Sequence, residues 1–154
     1  MIILAIDPGP EESAFVILVS GEIRHFGKLP NREMLARIRR DKPGIDRMVV
    51  EMIASYGMPV GREIFECCVW IGRFMEAFGA DADRCDRLTR GEIKSHLCHS
   101  AKAKDGNIRQ ALIDRLGPPG TKRAPGPTYG ITSDCWSALA VAVCWMDKFA
   151  PDFA

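Results

Sequence analysis

The sequence predicts an α/β domain over residues 1–154, with one mixed sheet flanked by helices. Three observations carry that expectation. The N-terminal region holds three short β-type runs separated by turn residues, the pattern of an antiparallel meander. A fourth apolar run at 47–53 follows a helix-like stretch, so it can lie parallel to the first. The rest of the chain places apolar residues mostly at helical spacing.

Residues 2–6 form a continuous, isoleucine-rich run, as expected of a strand covered on both faces, and Asp7-Pro8-Gly9-Pro10 stops it. Residues 13–19 read as a second strand and Ser20-Gly21 as a tight turn. Residues 22–27 alternate polar and apolar as a third strand. Asn31 is the expected N-cap of a short helix over Met34, Leu35 and Ile38, ended by Asp41-Lys42-Pro43-Gly44. The run at 47–53 is interrupted by a single acid, Glu51. Apolar residues from Ile64 to Phe78 recur at helical spacing and predict a helix over 62–78. Asp86-Arg87-Leu88 ends a short fifth strand, and Thr89 caps the helix after it. Another amphipathic helix spans 105–116, and a last, apolar one spans 132–149. Between them, residues 117–130 hold four prolines and four glycines, which predicts a mobile loop.

Composition narrows the function class. With 154 residues, 47% hydrophobic and 27% charged, the chain is an ordinary globular mixture. Lys plus Arg number 21 against 20 acids, a formal charge of +1, so nothing drives the whole surface toward nucleic acid or anionic lipid. No window approaches the roughly 18 apolar residues of a membrane span. The N-terminus lacks the basic leader of a signal peptide. The six cysteines form no CxxC pair, so reduced thiols in a cytoplasmic protein are expected. His96-Leu97-Cys98-His99 lacks the second ligand pair of a zinc site, and no zinc is expected.

Three acids interrupt or border apolar structure. Asp7 ends the first strand, Glu51 sits inside the fourth, and Asp134 opens the last helix. Charges in such places are costly unless paired or bound to a metal. If strands one and four are parallel neighbours, Asp7 and Glu51 emerge together at the end of the sheet where ligands bind, with Asp134 completing the cluster. Clustered carboxylates repel and raise one another's pKa unless a divalent cation neutralises them, and oxygen ligands suit Mg²⁺ or Mn²⁺. Two such ions about 4 Å apart promote phosphodiester hydrolysis. Simpler readings stand beside this one: Asp7 as a turn former, Asp134 as a first-turn acid facing the helix dipole, and Glu51 paired with an arginine such as Arg47 or Arg73.

The ordered set Ile3-Leu4-Ala5-Ile6-Asp7-Pro8-Gly9, Val49-Val50-Glu51, and Asp134 before Ser137-Ala138-Leu139-Ala140-Val141-Ala142 resembles the RuvC-type Holliday-junction resolvases over nearly the whole chain. Residues 51–61 and Trp70-Ile71-Gly72-Arg73-Phe74 resemble the short versions carried by bacteriophages in particular. The resemblance implies a ribonuclease-H-like, five-stranded mixed sheet, a three-stranded antiparallel meander plus parallel strands, flanked by helices. It implies Asp7, Glu51 and Asp134 as catalytic metal ligands, Mg²⁺ as cofactor with Mn²⁺ able to substitute, and a homodimer that nicks four-way junctions. Such an enzyme would work in the cytoplasm of a bacterium or phage-infected host. One position departs from the family, which usually places a second ligand one turn after the first on the last helix. Here that residue is Ser137.

Basic residues fit a DNA role. Lys94, His96, His99, Lys102, Lys104 and Arg109 flank the connection before the 105–116 helix, in a stretch that faces DNA in the resolvases. Lys122 and Arg123 lie in the Pro/Gly-rich loop before Asp134, suited to gripping phosphate. Lys102, Lys104, Lys122 and Arg123 are the expected DNA-binding set, and branched DNA the expected partner. Tyr56, Trp70 and Phe74 are candidates for base stacking or a dimer seam, with core packing favoured for the last two. A nuclease acting on flaps or RNA–DNA hybrids, or a catalytically weak junction-binding module, are the rival readings.

Overall fold

In the computed structural model, which describes residues 1–55, 57–79 and 83–153, the isoleucine-rich N-terminus is β1 (Ile2–Asp7), at the centre of a five-stranded sheet. β2 (Glu12–Val19) and β3 (Glu22–Pro30) complete an antiparallel meander on one side of it. On the other side β4 (Arg47–Met52) and then β5 (Cys85–Thr89) run parallel to β1, giving the order β3-β2-β1-β4-β5. A strand bonded on both edges and covered on both faces has to be apolar throughout, and Ile3 to Ile6 are at most 1% exposed.

Pleat alternation divides the core into two layers. Ile3, Ala5, Val16, Leu18, Val49 and Leu88 face α5 (Ser133–Phe149). Leu4, Ile6, Phe15, Ile17, Met48 and Val50 face α1 (Asn31–Asp41) and α2 (Arg62–Phe78). α3 (Arg90–Cys98) and α4 (Asp105–Leu116) pack beside α5, which explains why that helix is apolar nearly all round. Its small residues Ala138, Ala140 and Ala142 are fully buried and let it lie close to the sheet. Among the described residues no helix is long and apolar enough to cross a membrane.

Three local expectations need correction or refinement. Asn31 is the first residue of α1 rather than its cap; Pro30 holds the cap position and no side chain caps the helix. The Asn31 amide turns inward instead, where it donates to the Gly9 carbonyl at 2.8 Å and accepts from the Ser13 hydroxyl at 2.6 Å. Second, the third strand continues beyond Gly27 to Pro30. Third, the loop at 117–130 is internally hydrogen-bonded around a short hairpin turn. Gly120 bridges Pro125, Thr121 and Ala124 bond one another across a tight turn at 3.0 and 3.1 Å, and buried Thr128 donates to the Gly117 carbonyl at 2.9 Å. A Cβ on Gly126 would lie 1.9 Å from the Pro118 carbonyl oxygen, so the two segments touch only because that residue is glycine. Lys122 and Arg123 occupy the tip of the hairpin.

The Asn31 tether fixes the turn after β1. Replacing Asn31 with alanine orphans the Gly9 carbonyl and the buried Ser13 hydroxyl and is expected to cost about 1–3 kcal/mol, read as a lower urea midpoint. An unchanged midpoint would remove the tether from this account.

Candidate metal centre

Strand parity assembles the acids. Asp7 follows Ile3 and Ala5 on the α5 face of β1, and Glu51 follows Val49 on the same face of β4. The parallel register pairs Ile6 with Val50, so the two acids emerge side by side. α5 supplies Asp134 in its first turn and Ser137 one turn later. The turn that follows Asp7 is tightly built: the Cys67 thiol donates to the Pro8 carbonyl at 3.2 Å, and a Cβ on Gly9 would sit 2.3 Å from the Glu12 carbonyl oxygen.

Each acid has a different electrostatic environment. Asp7 is pushed up to about 7, first by burial and then by the charges of Glu51 and Asp134, with Arg90 and a Ser137 hydrogen bond opposing. Burial also raises Glu51, although Arg90 counters it: Arg90 Nη1 donates to the two carboxylate oxygens at 3.2 and 3.4 Å. Asp134 is held low by Lys28, whose ammonium donates to it at 2.7 Å across an exposed pair. Asp7 is thus within electrostatic reach of both other acids, while Glu51 is paired with Arg90 and Asp134 with Lys28. Among the described residues no three acidic, histidine or cysteine side chains close around one point.

Arg90 is the functional residue that the sequence did not single out. The expected arginine partners of Glu51 are engaged elsewhere: Arg47 lies near Asp86 and over Trp145, and Arg73 lies over Trp70. The β4/β5 register, Glu51 beside Leu88 and Met52 beside Thr89, delivers Arg90 instead. Thr89 forms the expected cap, closed as a capping box with Glu92, so Arg90 begins α3 at a fixed place. The only sequence signal was a cation at a helix N-terminus, where the dipole disfavours it.

The other basic residues divide into groups. Arg90 also donates to Asp105 at 2.6 Å, which brings the start of α4, and with it exposed Lys102 and Lys104, beside the cluster. Lys102, Lys104, Lys122 and Arg123 are all exposed and, among the described residues, in no ion pair. His96 is not free for phosphate, because its Nε2 lies 2.7 Å from Asp147, which Arg115 also contacts. Arg109 lies over the Trp136 ring. Phe74 is core and Trp70 packs on it, while Tyr56 falls outside the described residues.

Asp7 and Asp134 line one open cleft of about 910 Å³, together with Glu11, Glu12, Glu63 and Glu66 against Lys28 and Arg62. That donor set is hard, oxygen-rich and short of positive charge, and Asp7 is in no ion pair among the described residues. The residues therefore fit a hard divalent cation on this side of the cluster. Lys28 is a weak competitor, since exposed ion pairs contribute under about 1 kcal/mol.

The raised pKa has a thermodynamic signature. An unfolded Asp7 ionises near pH 3.8, whereas the folded one keeps its proton to about pH 7, so its contribution to stability falls across that window as pH rises. Asp7→Asn and wild type are expected to differ little by urea denaturation near pH 4. The variant should be ahead by roughly 2–4 kcal/mol above pH 7. A difference that does not change with pH would contradict the burial of this carboxyl.

No family model and no curated protein sequence matches the chain. Solved structures do. Thermus thermophilus RuvC superposes with a TM-score of 0.68 at 16% identity, covering 96% of each chain. T. thermophilus RuvC in complex with Holliday junction substrate superposes with a TM-score of 0.70 at 18% identity, covering 100% of this chain and 98% of that one. Strand order, helix placement and these end-to-end superpositions agree that the chain has the ribonuclease-H-like fold of RuvC.

Proposed function

We propose that the protein is a divalent-cation-dependent DNA endonuclease that cuts branched DNA, four-way junctions foremost, as a cytoplasmic homodimer. One observation supports the proposal: Asp7 of β1 and Asp134 of α5 line one acidic cleft, with Glu51 of β4 in electrostatic reach of Asp7, on a fold shared with RuvC, a structure of which holds a Holliday junction substrate. Asp7, Glu51 and Asp134 would hold Mg²⁺ or Mn²⁺. When bound, the ion supplies Lewis acidity toward phosphoryl oxygen and water. The chain's own residues do the rest. To hold the ion, Asp7 would have to be ionised and Asp134 released from Lys28. Arg90 opposes the effect of burial on Glu51 and orients it, while lone pairs on both its oxygens remain for a second partner.

Charge separates binding from chemistry. The cleft repels phosphate until a cation enters, whereas Lys102, Lys104, Lys122 and Arg123 project into solvent and can grip the backbone without one. A two-fold junction calls for a two-fold enzyme. α2 and the segment before it expose Met58, Val60, Phe65 and Val69, an apolar stripe suited to that contact. The Ser137–Arg90 contact favours one rival, a junction-binding module with little chemistry, because it puts a hydroxyl and a guanidinium where a further acid would aid metal binding.

Nicking assays in Mg²⁺ with junctions, flaps and RNA–DNA hybrids test this reading. The wild type is expected to prefer junctions, and Asp7→Asn or Glu51→Gln to abolish nicking while keeping junction affinity in gel shifts. Full nicking by either variant defeats the assignment, and wild-type binding without nicking leaves the inert module. Reversing both Lys122 and Arg123 to glutamate is expected to weaken binding and flatten its log–log salt dependence by about 2. An unchanged slope would take the hairpin tip off the DNA.

A further inference from the structure

We infer that the Arg90 guanidinium is the resident cation of this site, taking the place of a second divalent ion, so that the carboxylate cluster accepts one ion per chain. The inference rests on the proposed nuclease reading and narrows it. Asp134 stands between two recesses. One is the open cleft of about 910 Å³ that it shares with Asp7. The other, of about 190 Å³, is lined by Arg90, Asp105 and Ser137 as well as Asp134.

In the smaller recess the positive charge is already in place. Arg90 Nη1 reaches both oxygens of Glu51 at 3.2 and 3.4 Å and the Ser137 hydroxyl at 3.0 Å, and Nη2 reaches Asp105 at 2.6 Å. One planar fork thus ties β4, α4 and α5 together. Its position is over-determined by the β4/β5 register and by the capping box at Thr89. Helix physics does not explain it, because the first position of α3 is where a macrodipole repels a cation. The carboxylates explain it.

Ser137 completes the argument from the other partner. It lies one turn beyond Asp134 on the same side of α5 and lines the recess with its neutral oxygen. A hydroxyl that accepts a guanidinium hydrogen bond leaves little for a hard dication. Arginine cannot relieve the conflict by losing its proton, so a dication entering the smaller recess would face a fixed like charge. On the Asp7 side the competing cation is Lys28, a flexible ammonium in an exposed pair, free to swing away.

Titration calorimetry of the full-length chain with Mn²⁺, without DNA, tests the inference. The wild type is expected to bind one ion per chain. Ser137→Asp is expected still to bind one, because the new acid pairs with Arg90. Arg90→Ala combined with Ser137→Asp is expected to bind two, with folding in Mn²⁺ verified by circular dichroism. Two ions in the wild type or in Ser137→Asp would overturn the inference, as would a single ion in the folded double variant. The first two measurements decide it even if the double variant does not fold. A wild type that binds one ion but nicks no junction refutes the nuclease reading and leaves the ion count standing. One that binds none refutes both.

Discussion

Ionised Asp7 has too little water around it to be stable alone, and Glu51 and Asp134 add repulsion rather than relief. That carboxyl ends the central strand of the sheet, which is paired on both edges and covered on both faces. Its surroundings answer with fixed structure: the Asn31 amide and the Cys67 thiol bind the carbonyls that follow it, and Gly9 lets the turn close against Glu12. Backbone order of this kind keeps a destabilised charge in one place instead of letting it swing into solvent. A cation brought to that place meets a carboxylate already aimed, which is the sense in which the site is preorganised.

Much of this was legible in the sequence because it is local. The apolar runs of β1 and β4, the helical spacing of α2, the Thr89 cap and the misplaced acids each announce themselves within a few residues. What was not legible depends on contacts between distant segments. The partner of Glu51 is chosen by the pairing of β4 with β5, and no local pattern prefers Arg90 to Arg47 or Arg73. Asn31 is a residue type that caps helices, and the same amide serves equally well as a buried tether. Glycine and proline between 117 and 130 read as freedom, yet Gly126 is there for a close approach to Pro118 that only the folded chain reveals.

Near-neutral net charge hides strong local segregation. The cleft beside Asp7 gathers six acids against two basic residues, whereas the exposed lysines and arginine of the 102–104 and 122–123 segments do not line it.

Because alternation along the strands, and not the length of the connections, brings Asp7, Glu51 and Arg90 to one side of the sheet, the site tolerates some changes and not others. Lengthening the segment between α2 and β5 leaves the geometry untouched. Inserting a single residue within β4 before Glu51 would turn that acid toward α1 and α2 and sever it from Arg90. Divergence of this chain should therefore accumulate as loop-length variation, with the count of residues inside the strands held constant.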